Sequence, residues 1–280
     1  MSEFLVVQGR DIATPALKRI AHLTGAAGIE QIHTDAFRLL GAARHSELAE
    51  HCAAAQADFG WVPAGRQLGD YGLFVTDMDS TLITIECIDE IADMIGVKPQ
   101  VSEITEAAMR GEIDFAESLT RRVSLLAGLE ESALDRVYAE RLALNPGAEA
   151  LMKRLQAAGL RTVLVSGGFT FFTDRLRTRL GFDHSFANVL ETHGGRLTGR
   201  VEGPIIDAAA KRKALESLRD QYGIAPSATL AAGDGANDLE MFSAAGLSFA
   251  FRAKPVVRAQ ASYALDFAGL DGILPFVSAN

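Results

Sequence analysis

The feature that most constrains the fold is a set of short, uninterrupted apolar runs that recurs from residue 72 onwards. The runs lie at residues 72–76, 161–165, 229–232 and 247–251. A strand that is buried on both faces has such a run, because helices cover both sides of a parallel sheet. Helical segments separate the runs: Asn145-Pro146 opens one that stops at Gly159. Another runs from near Asn237 to Gly246. The pattern predicts an α/β fold with a Rossmann-like, doubly wound parallel sheet.

Two insertions interrupt this alternation. Residues 84–144 lie between the first two runs and show helical spacing, for example at Ile88, Ile91 and Ile95. This spacing predicts a helical cap over the sheet. The second insertion, residues 188–206, has two glycines between extended runs, which is typical of a β-hairpin.

The first part of the chain follows a different order: strand, helix, two strands, helix and strand. This order predicts a small α+β domain of βαββαβ topology over residues 1–66. The stretch 63–70 is rich in turn-forming residues. We therefore place the domain boundary there, with the α/β core and its cap in residues 67–280.

Composition excludes several classes of protein. Over 280 residues the formal net charge is −9, so capture of nucleic acid by its phosphates is not expected. No apolar run approaches the ~18 residues that a membrane span needs, and the first residues do not resemble a signal peptide. The chain has only two cysteines, Cys52 and Cys87, which indicates a reducing, cytoplasmic location.

Polar residues follow three of the four apolar runs. Asp77 and Asp79 come after the first, Ser166 after the second, and Asp234 after the third. Ligands of open α/β sheets bind beyond the carboxyl ends of the strands, so these side chains should share one crevice. Lys211 precedes Asp234 by 23 residues and adds a cation at the start of the helix that leads into that strand.

These residue types point to phosphate chemistry with a metal. Asp77 and Asp79 are spaced i, i+2, so both side chains lie on one side of an extended chain end. Together with Asp234 they carry excessive negative charge unless a cation lies among them. A donor set of oxygen atoms without His or Cys favours Mg²⁺. One aspartate could then attack phosphorus while its neighbour handles protons.

Positive and neutral donors complete the predicted site. Lys211 would neutralise phosphoryl oxygens, and the Ser166 hydroxyl with the amides of Gly167 and Gly168 would donate hydrogen bonds to them.

Each fragment alone has a simpler explanation. An Asp-Met-Asp sequence after a strand is most often a turn or a helix cap, and the same holds for a lone Ser-Gly-Gly. The Gly-Asp-Gly fragment at residues 233–235 lacks the third glycine and the first-strand position of a dinucleotide fingerprint. Their joint occurrence at successive strand ends favours a catalytic site.

The same positions resemble the four motifs of the haloacid-dehalogenase (HAD) superfamily of phosphatases. The motifs read Asp77-Met78-Asp79-Ser80-Thr81, Ser166-Gly167-Gly168, Lys211, and Gly233-Asp234-Gly235-Ala236-Asn237-Asp238. More narrowly, residues 86–90, 115–122 and 197–203 resemble the members that act on O-phospho-L-serine. The resemblance covers about residues 71–275. Residues 1–70 lie outside it, although their strand order is similar to that of small ACT-type regulatory modules.

The resemblance implies roles for individual residues. Asp77 would be the nucleophile that forms an aspartyl-phosphate. Asp79 would be the acid that protonates the leaving serine oxygen and then the base that activates water. Mg²⁺ would bind the Asp77 carboxylate, the Asp79 main-chain carbonyl and Asp234, with Asp238 in support. In the cap, Glu86 would bind the substrate ammonium and Arg122 its carboxylate. The implied substrate-binding set is Glu86, Met109, Phe115, Arg122, Ser166, Gly167, Lys211 and Asn237.

The expected activity is magnesium-dependent hydrolysis of O-phospho-L-serine, the last step of L-serine biosynthesis. Two alternatives stay open at this point: a phosphotransferase that passes the phosphoryl group to another alcohol such as homoserine, and a serine-sensing regulator whose phosphatase core is vestigial. Taken alone, Arg122 reads as an exposed helical arginine and Glu86 as an acid at a helix start. The sequence does not fix the oligomeric state, and a homodimer is one option.

Overall fold

The structure is a computed structural model and describes residues 3–278. Its amino-terminal part has the predicted βαββαβ order. The elements are β1 (Glu3–Gln8), α1 (Thr14–Leu23), β2 (Gly28–His33), β3 (Ala36–Leu40), α2 (Leu48–Ala54) and β4 (Asp58–Pro63). The strands form an antiparallel sheet in the order β2-β3-β1-β4. An antiparallel amino-terminal sheet is thus confirmed, while the ACT likeness and the domain boundary stay predictions.

Alternation along β1 gives this sheet two apolar faces. Leu5 and Val7 pack against α1 and α2, in a cluster that includes Ile20. Val6 points the other way and belongs to the cluster of the larger sheet. A period of two residues therefore places one face under the helices and the other against the rest of the protein.

The second face is held against the carboxyl-terminal part of the chain by a buried carboxylate. Oδ1 of Asp58 accepts a hydrogen bond from the backbone N–H of Asp266 at 2.8 Å, and Oδ2 accepts one from Ala268 at 2.9 Å. Gly60 lies so close to Tyr263 that a Cβ atom there would be 2.6 Å from the ring. The two sheets are therefore in direct, well-packed contact.

The larger sheet has seven strands in the order β11-β10-β9-β5-β6-β7-β8. They are β5 (Leu73–Thr76), β6 (Arg161–Phe169), β7 (His184–His193), β8 (Arg196–Glu202), β9 (Thr229–Gly233), β10 (Leu247–Phe251) and β11 (Tyr263–Leu265). All neighbours are parallel except β7 and β8, which form the antiparallel hairpin predicted around Gly194-Gly195. The four apolar runs correspond to β5, β6, β9 and β10, which confirms the doubly wound sheet.

Both faces of this sheet are covered. The helices of the core are α7 (Ala148–Ala157), α8 (Thr170–Leu180), α9 (Ala208–Gln221), α10 (Leu239–Ala244), α11 (Pro255–Arg258) and α12 (Leu274–Val277). Phe74 of β5 joins one buried cluster, while its neighbours Leu73 and Val75 join another on the opposite face. Burial on two sides explains why these strands are apolar without alternation.

The long insertion forms the predicted helical cap. Its helices are α3 (Cys87–Asp93), α4 (Lys98–Met109), α5 (Phe115–Ser124) and α6 (Ser132–Glu140). The chain leaves and re-enters the core side by side, where Ile83 and Leu144 form an antiparallel bridge. A two-stranded connection of this kind sets the cap over the carboxyl ends of the strands.

One predicted helix start is wrong by two residues. Helix α7 begins at Ala148, and Gly147, with φ of +86°, is the residue at its amino-terminal boundary. A left-handed residue there turns the chain, so Asn145 precedes the helix and its buried side chain bonds elsewhere. In the described residues, no helix is long and apolar enough to cross a membrane.

Candidate active site

Polar side chains from three adjacent strands meet at one edge of the large sheet. Asp77 and Asp79 follow β5, Ser166 lies in β6 and Asp234 follows β9. Strand β5 lies between β6 and β9, so these carboxyl ends are neighbours. Asp77, Asp79 and Asp234 border a cleft of about 770 Å³ between the core and the cap. Such a cleft encloses a small metabolite.

Asp77 is buried and held in a fixed orientation. Its Oδ1 accepts a hydrogen bond from the backbone N–H of Met78 at 2.7 Å, and the Lys211 ammonium lies 2.9 Å from the same oxygen. Among residues 3–278, none donates a hydrogen bond to Oδ2 of Asp77. This leaves one carboxylate oxygen able to react, next to one that is neutralised.

Lys211 is fully buried and bridges two aspartates. Its Nζ lies 2.8 Å from Oδ1 of Asp238 as well as 2.9 Å from Asp77. Burial alone would lower the pKa of Lys211, but Asp238 and Asp77 outweigh it and hold the pKa above its ordinary value. Lys211 is therefore a permanent cation behind the strand ends.

Asp79 is held by the first residue of α3 and by β6. The backbone N–H of Cys87 donates to Oδ1 at 2.9 Å, and the Ser166 hydroxyl lies 3.3 Å from Oδ2. Burial raises the pKa of Asp79, and the hydrogen bonds from Cys87 and Ser166 offset this only in part. A carboxyl group whose proton is retained more strongly than usual is suited to act as a general acid.

The glycines after Ser166 allow close approach. A Cβ atom on Gly168 would lie 2.6 Å from Oδ2 of Asp79, and one on Gly167 would lie 2.9 Å from the ring of Phe115. The Gly168 N–H donates to the Ser166 hydroxyl at 2.8 Å. Larger residues at either position would fill the space between the core and the cap.

Three carboxylates form a candidate metal centre. Asp77, Asp234 and Asp238 each offer an oxygen, and these oxygens all lie within 4.8 Å of one another. Both oxygens of Asp238 already have protein partners. Oδ1 binds Lys211, and Oδ2 accepts the N–H groups of Asp234 and Gly235 at 3.2 and 3.1 Å. Asp77 and Asp234 are therefore the available carboxylates, with Asp238 behind them as the resemblance implied.

The electrostatics of this centre fit a bound cation. Burial and the Asp238 carboxylate raise the pKa of Asp77 well above its ordinary value, although Lys211 opposes the shift. The same two causes raise the pKa of Asp234 to about 6. Crowded carboxylates with raised pKa values are stabilised in their charged form by a divalent ion, and oxygen donors suit Mg²⁺.

Two charged cap residues line the cleft at positions predicted to bind substrate. Glu86 is exposed in the open cleft and accepts a hydrogen bond from the Ser80 hydroxyl at 2.6 Å, while protein groups crowd its carboxyl group. Burial of that group and the nearby Asp79 raise the pKa of Glu86 to about 8. Arg122 is half-buried on α5. Burial lowers its pKa, while the negative charge of Asp89 opposes this shift.

The remaining predicted residues also border the cleft. Phe115 lies against Gly167, and Asn237 lines the side opposite the cap. Met109 ends α4, lines the cleft and is 64% exposed. Its sulfur lies 4.0 Å from the ammonium of Lys254 on the core.

Sequence reasoning missed two residues that shape the site. The Thr81 hydroxyl donates to Oδ1 of Asp234 at 2.9 Å, across 153 residues of sequence. The Asn145 side chain binds the loop that carries Thr81. Thr81 was visible as part of the first motif, whereas nothing in the sequence around Asn145 distinguished it from a helix cap.

Comparison with known proteins agrees with this geometry. Residues 74–243 match the family haloacid dehalogenase-like hydrolase, and residues 5–48 match a domain of unknown function. The chain belongs to the haloacid dehalogenase-like hydrolases. Phosphoserine phosphatase of Polaromonas sp. is 55% identical over 75% of this chain and 92% of its own length. Within the wider family, the chain therefore belongs to the phosphoserine phosphatases.

Solved structures show the same relationship. The unliganded crystal structure of a probable phosphoserine phosphatase from Vibrio cholerae superposes with a TM-score of 0.87 at 38% identity, covering 99% of this chain and 86% of that one. A substrate-bound phosphoserine phosphatase has a TM-score of 0.70 at 40% identity, covering 74% and 98%. The first match includes the amino-terminal sheet, and the second covers about three quarters of the chain.

Proposed function

We propose that this protein hydrolyses O-phospho-L-serine to L-serine and phosphate through an aspartyl-phosphate at Asp77, with Mg²⁺ as its cofactor. The observation that carries the proposal is the pairing of Asp77 and Asp79 at one strand end. Oδ2 of Asp77 accepts no hydrogen bond from residues 3–278, and burial raises the pKa of Asp79. Relatives that share about half of the sequence are phosphoserine phosphatases, which supports the choice of substrate.

The first chemical step uses both aspartates. Oδ2 of Asp77 attacks phosphorus, and the bond from phosphorus to the serine oxygen breaks. Asp79 gives its proton to that oxygen, so L-serine leaves as a neutral alcohol. Lys211 stabilises the Asp77 side of the site throughout, since it lies 2.9 Å from Oδ1.

The second step reverses the role of Asp79. Having lost its proton, Asp79 accepts one from a water molecule, which attacks phosphorus and releases phosphate and the free Asp77 carboxylate. Gly167 borders the cleft, and the Ser166 hydroxyl lies 3.3 Å from Oδ2 of Asp79. The Gly167 amide and the Ser166 hydroxyl would donate to phosphoryl oxygens. Splitting the transfer into two displacements lets a single carboxyl group serve as acid and then as base.

Asp77, Asp234 and the main-chain carbonyl of Asp79 would hold Mg²⁺. When bound, the ion supplies positive charge that offsets the negative charge of the phosphoryl group in both steps. The Asp79 carbonyl already accepts the N–H of Thr81 at 2.7 Å and keeps a second lone pair for a ligand.

Recognition of the amino acid would come from the cap. A substrate ammonium group next to Glu86 would favour the charged form of its carboxyl group, which then acts as the counter-charge. The planar guanidinium of Arg122 can bind a carboxylate through two hydrogen bonds. Met109 and Phe115 would contribute apolar surface around them. Both charged residues border the same cleft as Asp77 and Asp79.

The proposal extends to the location, pathway and assembly of the protein. We infer that the protein acts in the cytoplasm in the last step of L-serine biosynthesis. Its cysteines, Cys52 and Cys87, are free and buried, which suits a reducing compartment. A homodimer and a separate regulatory domain over residues 1–66 are further proposals that sedimentation and limited proteolysis would test.

One assay tests the activity. Phosphate release is measured from O-phospho-L-serine, phosphoethanolamine and p-nitrophenyl phosphate, with Mg²⁺ and with EDTA. The proposal expects a strong preference for phosphoserine and loss of activity in EDTA. Product analysis with added homoserine separates hydrolysis from transfer to another alcohol. If none of the three esters releases phosphate, the result would favour the regulator with a vestigial phosphatase core instead.

A further inference from the structure

Asn145 connects the re-entry point of the cap to the loop that follows the catalytic aspartates. It is 4% exposed and lies directly after the Ile83–Leu144 bridge. Its side-chain Nδ2 donates to the carbonyl of Thr81 at 2.9 Å and to that of Ile83 at 3.0 Å. The carbonyl of Ser80 lies 3.3 Å from the same nitrogen.

The orientation of this amide is fixed by its surroundings. Three carbonyl oxygens face one end of it, and only the nitrogen can donate to them. The other end faces a donor, because Nη1 of Arg252 lies 3.3 Å from Oδ1 of Asn145. Both hydrogen-bonding ends of a buried side chain are thus satisfied by protein groups.

The loop that Asn145 holds, residues 80–83, has an unfavourable backbone conformation. Ser80 has φ of +57°, in the left-handed region that a non-glycine residue adopts only when its surroundings require it. Hydrogen bonds from Asn145 to carbonyls on both sides of Leu82 can maintain such a turn. Without them, the loop has fewer contacts that favour this conformation over an extended one.

The loop in turn positions an acid of the metal centre. The Thr81 hydroxyl donates to Oδ1 of Asp234 at 2.9 Å, and Thr81 is fully buried. The backbone of Thr81 is held by Asn145, and its side chain holds Asp234. A continuous set of hydrogen bonds therefore joins Asn145 to the candidate metal ligand without direct contact between them.

We propose that Asn145 is a positioning residue for the metal centre: it holds the 80–83 loop so that Thr81 fixes the orientation of Asp234. The inference rests on the proposed magnesium-dependent hydrolysis. Groups that hydrogen-bond directly to metal ligands, as Thr81 does to Asp234, typically change affinity by 10- to 100-fold when removed. Asn145 acts one contact further out, so about a tenfold loss of Mg²⁺ affinity is expected.

The test compares Asn145→Ala with a control variant that loses similar hydrogen bonds in another part of the chain. Thr24 is equally buried, and its hydroxyl donates to the carbonyls of Ile20 and Ala21 in the amino-terminal part of the chain. Thr24→Ala therefore removes side-chain bonds to backbone carbonyls far from the cleft. Mg²⁺ binding to each protein is measured by isothermal titration calorimetry in the absence of substrate, and kcat is measured at saturating Mg²⁺.

Asn145→Ala is expected to raise the Kd for Mg²⁺ about tenfold, with kcat at saturating Mg²⁺ within about twofold of wild type. Thr24→Ala should leave the Kd unchanged. A Kd for Asn145→Ala within twofold of wild type overturns the inference, as does an equal rise in both variants. If Asn145→Ala does not fold, Asn145→Ser, which keeps one donor, takes its place and should give a smaller rise.

A double-mutant cycle tests the route through Thr81. Thr81→Val removes the hydroxyl while keeping the shape and should raise the Kd, whereas Thr81→Ser keeps a hydroxyl and should restore most of the affinity. In the Asn145→Ala/Thr81→Val double variant the two effects should not add, because both act through the same bond to Asp234. If the two effects on the Kd for Mg²⁺ add fully, Asn145 does not act through Thr81. Failure of wild type to bind Mg²⁺ or release phosphate would refute the proposed function instead.

Discussion

The ammonium of Lys211 lies 2.9 Å from Oδ1 of Asp77, and both side chains are buried. This ion pair gives the two carboxylate oxygens of Asp77 different surroundings. One is neutralised by a cation and a backbone N–H, while the other accepts no hydrogen bond from the described chain. The pair therefore contributes both to stability and to the reactivity of Asp77.

Replacing Lys211 with glutamine should reduce stability as well as activity. It leaves Asp77 and Asp238 buried without their cation, and loss of one partner from a buried pair costs about 3–5 kcal/mol. Urea unfolding of the magnesium-free protein measures the change. Arg212→Gln is the control, since Arg212 is exposed and pairs with Glu216, and it should change stability by less than about 1 kcal/mol. Equal losses in the two variants would contradict a central role for the buried pair.

Stability without metal should decrease as pH rises. Burial and Asp79 raise the pKa of Glu86 to about 8, with smaller contributions from Asp234 and Asp89. The folded state keeps this proton over a pH range in which the unfolded chain has already lost it, so stability is lost between about pH 4.5 and 8. The melting temperature of the EDTA-treated protein from pH 5 to 8.5 measures this loss.

Glu86→Gln is the control for the pH effect. Glutamine does not titrate, so the slope of melting temperature against pH should become shallower in this variant. Added Mg²⁺ should raise the melting temperature most at high pH, where the carboxylates of the cleft are charged. A wild-type slope that is unchanged by Glu86→Gln would show that other groups determine it.

Calcium should inhibit the enzyme. Mg²⁺ requires a compact octahedron, whereas Ca²⁺ takes six to eight oxygen ligands and readily accepts both oxygens of one carboxylate. Binding of both Asp77 oxygens would occupy the one needed for attack. Phosphate release with Mg²⁺, with Ca²⁺ and with mixtures of the two measures the effect. Equal turnover with either ion would argue against attack by Oδ2 of Asp77.

Arg122→Ala should affect phosphoserine and spare substrates that lack a carboxylate. An unpaired carboxylate in the cleft costs about 2–5 kcal/mol in kcat/KM. Phosphoethanolamine never makes this contact, so it should be a poor substrate of the wild type and lose little more. Arg121→Ala is the matched control, because Arg121 is exposed on the same helix and pairs with Glu117. If Arg122→Ala lowers kcat/KM by the same factor for phosphoserine and for phosphoethanolamine, Arg122 has a structural role and does not bind the carboxylate.

Most of the fold could be predicted because burial on two faces leaves a clear sequence pattern. Runs such as residues 247–251 coincide with β10 to the residue. Parts of the large sheet were not predicted, for physical reasons. Residues 184–187 of β7, which precede the predicted hairpin, are half-exposed and show neither a continuous apolar run nor alternation. Strand β11 has only three residues.

The candidate site was predictable where chemistry is local in sequence. The spacing of Asp77 and Asp79 and the strand-end position of Asp234 are visible in short motifs. The contribution of Asn145 depends on a left-handed turn at Ser80 and on contacts 62 to 65 residues away. Loop conformations of this kind leave no periodic signal, and sequence reasoning misassigned Asn145 to the start of a helix.

The covalent step at Asp77 is the central claim, and trapping tests it most directly. The protein is mixed with ³²P-labelled O-phospho-L-serine and Mg²⁺, quenched in acid within milliseconds and analysed by peptide mapping. The account predicts an acid-stable, hydroxylamine-labile label on the peptide that contains Asp77. In Asp77→Asn, which keeps the shape and should keep the fold, the label should be absent and turnover should fall by several orders of magnitude. Full turnover by Asp77→Asn, or a label on any other residue, would contradict the mechanism.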